Sequence, residues 1–154
     1  GYELATGYKR LTSAEELFET ADTVSIHSPL TDETRGAINA DLLGRMHDRA
    51  VVINTARGPI VDLDAMYEAL KAGKPAGAGL DVLPQEPADT SHPLIKAYMG
   101  REEWLEGRLM ISPHAAFFSP PGLLDLRSKA VTTAAQRIRD GSVRNCQNLQ
   151  VLTG

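Results

Sequence analysis

The sequence predicts an α/β fold in which short parallel strands alternate with helices, and three observations predict it. Short apolar runs of strand character alternate with segments whose apolar residues recur at helical spacing. Side chains that cap helices begin the helical segments, and glycine or proline marks most element boundaries. Helical segments of about 10 to 15 residues between strands are typical of the crossovers of βαβ units, in which neighbouring strands are parallel.

The N-terminal part of the chain carries two helix–strand pairs. Ser13 and Glu16 form a capping box that opens a short helix, and a strand covers residues 23–27. Asn39 caps a second helix, and an apolar strand follows over residues 50–54. Proline comes shortly after each strand and marks its end.

The middle of the chain repeats this pattern. Asp62 caps a third helix that stops at Gly73, and a strand over residues 76–80 follows at once. A fourth strand covers residues 109–112. Residues 84–108, between these two strands, are the least regular part of the chain.

Two further helices are expected outside the repeated pattern. One is a surface helix over residues 98–104, in which Trp104 is a local packing anchor rather than a ligand platform. The other is long, because Ser119 caps it, Pro120 takes the first helical position and Gly141 ends it.

The residues that follow the four strands carry most of the information about function. In a parallel sheet all carboxyl ends lie at one edge, and ligands of open α/β sheets bind there. The segments that follow the strands are, in order, Ser28 to Thr31, Thr55 to Gly58, Asp81 with Glu86, and His114. An arginine, two carboxylates and a histidine are therefore expected to meet at one crevice.

His114 is the candidate proton donor and acceptor of this crevice. A carboxylate beside a histidine stabilises the imidazolium form, and such a pair can protonate a carbonyl oxygen. Glu86 is the candidate partner, with a solvated loop acid as the alternative. A single histidine after a strand is usually structural, and we expect this of the other three, which are His27, His47 and His92.

Arg57 and Asp81 each allow two interpretations. Arginine at a ligand edge suits bidentate binding of a carboxylate, whereas Arg57 as a structural residue would cap the end of a neighbouring helix. Asp81 could accept a hydrogen bond from a ligand amide, or it could fasten the end of its strand.

Composition and spacing exclude several classes of partner and site. The 154 residues have a formal net charge of −4 and no run of basic residues, so neither nucleic acid nor a membrane surface is an expected partner. The single cysteine, Cys146, permits no intramolecular disulfide, which fits a cytoplasmic location. No histidine or cysteine pair has metal-ligand spacing, so no metal site is expected. Gly77 and Gly79 imitate a dinucleotide fingerprint, but they lie inside a strand.

Blocks at these same positions resemble the D-isomer-specific 2-hydroxyacid dehydrogenase family, which includes phosphoglycerate dehydrogenase and glyoxylate reductase. Residues 27–39 resemble its "H-x-P-L-T…T-x-G-x-I-N" block, and residues 52–58 match its "V-N-T-A-R-G" block. The remaining blocks, in the right order, are Val61-Asp62, Ala78 to Val82, Glu86-Pro87 and Ser112 to His114. The resemblance covers residues from about 14 to 148.

The resemblance implies a Rossmann-type, doubly wound parallel sheet that binds NAD. It implies that Arg57 holds the substrate's carboxylate, that His114 is the general acid/base, and that Glu86 orients His114. Hydride would pass between NAD(H) and a small D-2-hydroxy acid or 2-keto acid. Asp81 would accept from the nicotinamide carboxamide. The implied cofactor positions are Ser28, Pro29, Leu30, Thr34, Thr55, Ala56, Arg57, Asp81, His114, Ala115 and Ala116.

Two positions bear on the branch of the family. Glu86 stands where formate dehydrogenases of the superfamily carry glutamine, which weakens a formate-oxidising interpretation. The run Ala115 to Ser119, with its aromatic residues, is most similar to the C-terminal-binding-protein branch and its bacterial relatives. Animal members of that branch are NAD-sensing corepressors, so an NAD(H)-gated binding module without direct DNA contact is the alternative to an enzyme.

The resemblance also predicts how the chain is organised. Residues 1–140 are expected to be the C-terminal part of the NAD-binding domain, without its glycine-rich βαβ unit, and residues 141–154 a tail that returns toward the substrate domain. We therefore expect this stretch alone to be inactive, and the full-length protein to be a homodimer. The residues that select the substrate and choose between NAD and NADP are expected upstream.

Overall fold

The computed structural model describes residues 6–142. The chain divides into two compact units, Gly1–Ala116 and Phe117–Gly154. All of the strands described below, and the residues of the candidate site, belong to the first unit.

The first unit is built on a four-stranded parallel sheet with the strand order β1-β2-β3-β4. Its strands are β1 (Thr23–Ile26), β2 (Val51–Asn54), β3 (Gly77–Leu80) and β4 (Leu109–Ile111). Each neighbouring pair is parallel, which confirms the predicted βαβ architecture. Each strand is one residue shorter than predicted, a difference within the usual uncertainty of element ends.

The described residues contain five α-helices, four of them in the first unit with the sheet. They are α1 (Ala14–Thr20), α2 (Ala40–Arg45), α3 (Leu63–Lys71), α4 (Pro93–Met99) and, in the second unit, α5 (Pro120–Asp140). The predicted caps are present: Ser13, Asn39 and Asp62 each accept a backbone N–H from the third residue beyond them. Ser119 caps α5 in the same way, and Gly141 ends α5 in the left-handed conformation with φ 75°.

The predicted surface helix over residues 98–104 is wrong. The helix in this region is α4, which lies earlier and buries Leu94, Ile95 and Ala97. The prediction followed the polar residues and overlooked the apolar run before them. Trp104 lies instead in a short 3₁₀ helix and packs edge-on against Tyr67, with ring centroids 5.8 Å apart, as a packing anchor would.

The two faces of the sheet differ in their surroundings. One face is buried and shares a single hydrophobic cluster with side chains of α1 to α4. Its central row pairs Val24, Val52, Ala78 and Leu109 across the strands. The opposite face carries the row Ser25, Ile53, Gly79 and Met110, of which Met110 is 71% exposed. The fold thus leaves a surface beside the strand ends that a ligand can reach.

Candidate active site

The carboxyl ends of the parallel strands place the predicted functional residues along one edge of the sheet. Arg57 follows β2, Asp81 and Glu86 follow β3, and His114 follows β4. The sequence predicted this convergence from the pattern of parallel strands and the residues that follow each of them. The contacts among these residues decide what the edge can do.

Glu86 and His114 form a direct hydrogen bond, with His114 Nδ1 2.8 Å from Glu86 Oε2. An ionised carboxylate only accepts hydrogen bonds, so Nδ1 carries the proton and donates it. The other oxygen of Glu86, Oε1, accepts the N–H of Leu83 at 3.0 Å. Glu86 is therefore held at both carboxylate oxygens and fixes the orientation of the imidazole.

Glu86 remains ionised in this arrangement. The hydrogen bonds from His114 and from the Leu83 N–H lower the pKa of Glu86 below its usual value, against the smaller opposing effect of burial. Both side chains of the pair are about two-fifths exposed, at 45% for His114 and 40% for Glu86. The pair is thus accessible to a ligand, and the Glu86 carboxylate is ionised at neutral pH.

His114 lies in an unusual backbone conformation, with φ 52°. The left-handed region is unfavourable for a residue with a β-carbon and persists only where neighbouring contacts hold it. Here the N–H of His114 donates to the carbonyl of Asp81 at 2.8 Å. The turn after β4 is therefore tied to the end of β3.

The Asp81 side chain provides the rest of that tie. Its Oδ1 accepts the Ser112 hydroxyl at 2.5 Å and the Ala115 N–H at 2.8 Å, and its Oδ2 accepts the Ala116 N–H at 2.9 Å. Burial alone would raise the pKa of Asp81, but these hydrogen bonds outweigh it and hold the pKa below the usual value. Of the two interpretations of Asp81, the one that fastens a strand end is present in the structure.

Arg57 lies exposed at the end of β2. Its Nη1 donates to the neighbouring carbonyl of Ala56 at 2.7 Å. This carbonyl belongs to a loop, so this contact of Arg57 within residues 6–142 is not with a helix C-terminus. Among residues 6–142 no carboxylate lies within ion-pair distance of Arg57, and its guanidinium can bind an external one.

Two residues support Arg57, and sequence reasoning missed the role of one of them, Asn54. Asn54 is fully buried; its Oδ1 accepts the Ala56 N–H at 3.0 Å and its Nδ2 donates to the Arg57 carbonyl at 3.0 Å. A β-carbon added to Gly58 would lie 1.9 Å from the carbonyl carbon of Leu83. A polar residue at an inward-facing strand position was the signal available for Asn54.

Four of the predicted cofactor positions line one cavity of about 330 Å³ on the exposed face of the sheet. These four are Thr55, Asp81, Ala115 and Ala116. The floor of the cavity includes Gly79, where an added β-carbon would lie 3.0 Å from Ile53 Cδ1. Gly79 therefore contributes no side chain to this cavity, and Ile53 packs close to its Cα. A second cavity of about 370 Å³ lies beside Glu86 and His114.

The predicted cofactor positions after β1 lie outside that cavity. Thr34 donates its hydroxyl to the carbonyl of Pro29 at 2.7 Å and accepts the N–H of Thr31 at 2.8 Å. Leu30 packs against the hydrophobic core. Thr34 and Leu30 thus stabilise the loop after β1. The cofactor contacts expected of this loop, including that of Ser28, stay a prediction.

The other three histidines form local polar pairs. His27 contacts the Ser25 hydroxyl at 2.8 Å, His47 contacts Asp22 at 3.2 Å, and His92 contacts Asp64 at 3.1 Å. Within the described part of the chain, no three histidine, cysteine or acidic residues group as metal ligands. In the same residues, no helix is both long and apolar enough to cross a membrane. Cys146 lies outside the described residues.

Comparison with known proteins connects this edge to a family. Residues 3–116 match the sequence profile described as "D-isomer specific 2-hydroxyacid dehydrogenase, NAD binding domain". A glyoxylate reductase of Thermofilum pendens is 40% identical over 134 residues, which are 87% of this chain and 33% of that protein. The chain therefore spans about a third of this relative's length.

Solved structures agree with the sequence match. A glyoxylate reductase from Paecilomyes thermophila superimposes with a TM-score of 0.80 at 29% identity, over 97% of this chain and 42% of that one. A D-lactate dehydrogenase from Aquifex aeolicus was solved with NAD and lactic acid. It superimposes with a TM-score of 0.64 at 32% identity, over 83% of this chain and 40% of that one. None of these three is named for the C-terminal-binding-protein branch, so they do not support that finer resemblance.

Proposed function

This chain belongs to the D-isomer-specific 2-hydroxyacid dehydrogenase family as an NAD-binding domain, and on that premise we propose that the complete protein is an NAD-dependent oxidoreductase. It interconverts a small D-2-hydroxy acid and the matching 2-keto acid. The observation that carries the proposal is the Glu86–His114 hydrogen bond at the sheet edge that also presents Arg57.

His114 moves the proton of the reaction. Its Nδ1 is engaged by Glu86, so Nε2 is the nitrogen that gives a proton to the carbonyl oxygen of a 2-keto acid. In the reverse direction Nε2 takes the proton from the hydroxyl group. Glu86 acts through His114, since it stabilises the imidazolium and sets the plane of the ring.

Arg57 binds the carboxylate of the substrate. A guanidinium offers two parallel N–H donors that match the two oxygens of a carboxylate, and this geometry also orients the adjoining C2. Asn54 and Gly58 fix the loop from which Arg57 extends. Arg57 and the loop that carries it therefore contribute to the reaction by orienting C2 of the substrate.

NAD, when bound, supplies or accepts the hydride. The cavity lined by Thr55, Asp81, Ala115 and Ala116 would hold its nicotinamide, and Ala56 directly follows Thr55 in the chain. Ser28, Pro29, Leu30 and Thr34 at the end of β1 would lie along the rest of the cofactor. The NAD-bound D-lactate dehydrogenase of Aquifex aeolicus supports NAD as the cofactor.

A binding module gated by NAD(H) is the alternative function. The run Ala115 to Ser119, with Phe117 and Phe118, favours it through its similarity to the C-terminal-binding-protein branch. Such a module keeps the Arg57, Glu86 and His114 set, so these residues do not discriminate between the two functions, but the relatives described above are named as reductases and dehydrogenases. The enzyme is therefore the function that we propose.

The test is turnover by the complete protein with NADH and a panel of 2-keto acids, including glyoxylate, hydroxypyruvate and phenylpyruvate. We expect activity with at least one acid, and His114→Gln should lower kcat by about 10²–10⁴-fold because it removes general acid catalysis. His47→Gln, which alters a histidine bonded to surface Asp22, is the matched control and should retain activity. Absence of turnover with every acid, together with NADH-dependent partner capture, would favour the binding module.

A further inference from the structure

The carboxylate of Asp81 occupies a concave site made by backbone N–H groups. Consecutive amides at Ala115 and Ala116 point at its two oxygens, and the Ser112 hydroxyl completes the set. Successive N–H groups converge on an anion where the backbone turns through right- and left-handed conformations. His114 supplies the left-handed residue here, with φ 52°.

The conformation of His114 and the position of the carboxylate thus depend on each other. The left-handed backbone is unfavourable for a non-glycine residue, so the charged hydrogen bonds to Asp81 must offset its cost. The carbonyl of Asp81 also accepts the His114 N–H at 2.8 Å. Asp81 therefore holds the turn at His114 in two ways: its carbonyl accepts the His114 N–H, and its carboxylate accepts the two N–H groups that follow.

We infer that Asp81 is the positioning residue of the proton-transfer pair: its carboxylate folds the turn of residues 112–116 around itself and thereby aims the His114 imidazole at Glu86. Without this anchor the turn would relax toward ordinary backbone angles. The direction of the Cα–Cβ bond of His114 would change with it. The 2.8 Å contact between Nδ1 and Glu86 would then be lost.

The chemistry of aspartate is needed for this role. Asparagine has nearly the same shape, but one carboxylate oxygen becomes an NH₂ donor. In either orientation of the amide, that NH₂ group would face the N–H of Ala115 or Ala116. Two donors facing each other in a buried place are destabilising, so the turn must open.

The first test is Asp81→Asn in the complete protein. We expect kcat to fall by roughly 100-fold, since a misaligned catalytic group costs about that factor. NADH affinity should change by no more than about threefold, because the loss lies in the chemical step. Asp22→Asn, a change in a surface acid bonded to His47, is the matched control and should leave both quantities unchanged.

The second measurement is the ¹H–¹⁵N signal of the His114 imidazole that donates to Glu86, assigned by its disappearance in His114→Gln. Asp81→Asn should remove or shift this signal, and Glu86→Gln, which changes the acceptor itself, should do the same. The signal requires no turnover. The inference rests on the proposed function only for its kinetic part, so an inactive protein with an altered His114 signal would overturn the function and support the positioning role.

Two outcomes would overturn the inference. One is a weakening of NADH binding as large as the fall in kcat with an unchanged His114 signal, which would assign Asp81 to the cofactor alone. The other is wild-type kcat in Asp81→Asn. Should that variant fail to fold, Ser112→Ala removes one neutral donor and keeps the backbone contacts. A smaller fall in kcat with a shifted His114 signal then supports the inference, and wild-type behaviour overturns it.

Discussion

Glu86 and His114 are the residues whose charge states should set the pH dependence of the reaction. The pKa of Glu86 is lowered by its hydrogen bonds to His114 and Leu83, so the carboxylate stays charged throughout the neutral range. A negative charge beside the imidazole favours its protonated form. Reduction of a keto acid needs that protonated form, and oxidation of a hydroxy acid needs the neutral one.

Glu86→Gln removes the charge and one of the two acceptor oxygens, and should therefore lower kcat in both directions. The amide has a single acceptor oxygen, so it cannot accept from both the His114 Nδ1–H and the Leu83 N–H. kcat profiles measured in both directions between pH 5 and 9 test this, and kcat of reduction near neutral pH should fall about 10-fold or more.

Glu68→Gln is the matched control for this prediction. Glu68 lies exposed on α3, away from the sheet edge, and its loss should leave both profiles in place. Profiles of Glu86→Gln that coincide with the wild type would show that the carboxylate does not act on the proton-transfer group.

The sequence was sufficient to predict which side chains lie at the site, but only some of their roles. His114, Glu86 and Arg57 follow strands, and the strand pattern places them on one edge before any contact is known. Asn54 and Asp81 differ, because their roles depend on which backbone groups the loops turn toward them. Such local geometry is set by tertiary folding and leaves no periodic trace in the sequence.

At the scale of elements, the loop after β2 and the loop after β3 are joined at Gly58. A β-carbon there would lie 1.9 Å from Leu83 C and 2.4 Å from Pro84 N, and both of these are backbone atoms that cannot rotate away. Leu83 is also the residue whose N–H holds Glu86. The close approach therefore links the position of Arg57 to that of Glu86.

Gly58→Ala should consequently affect stability and catalysis together. We expect a loss of roughly 3 kcal/mol in the free energy of unfolding, as for a core substitution that overpacks its site. The surviving folded protein should show a lower kcat. Urea denaturation of the complete protein and steady-state kinetics measure the two effects.

Gly44→Ala provides the comparison, since Gly44 lies within α2 and an added β-carbon would meet nothing within 4 Å. Alanine in a helix is favoured over glycine by about 0.5–1 kcal/mol, so this variant should be slightly more stable. Equal stability of Gly58→Ala and wild type would show that the two loops can separate without cost.

The elements themselves were well predicted wherever capping and periodicity agreed. Ser13, Asn39 and Asp62 cap their helices as expected, and the strands differ only at their ends. The helix that the sequence prediction missed is α4. Its apolar run, Pro93–Met99, follows a proline-rich stretch that resembles a loop in composition. Burial against α3 stabilises this helix, and such packing is invisible in a local pattern.

At the scale of the whole molecule, the sheet edge supplies the catalytic side of the site and lacks one recognisable part of a dinucleotide site. Residues 1–154 contain no glycine-rich strand–turn–helix fingerprint of the G-x-G-x-x-G type. In Rossmann folds the backbone N–H groups of that turn bind the pyrophosphate at the start of a helix. The chain also spans only 33–42% of the relatives described above.

These residues expressed alone should therefore bind NADH more weakly than micromolar, even when folded. The cavity of about 330 Å³ can hold a nicotinamide ring, but a ring alone makes few of the contacts of the dinucleotide. Fluorescence titration of NADH against residues 1–154 gives the measurement, with the complete protein as the positive control. Micromolar binding by the isolated segment would mean that it provides a pyrophosphate site of a different kind, since the cavity lined by Thr55 and Asp81 is too small to hold the whole dinucleotide.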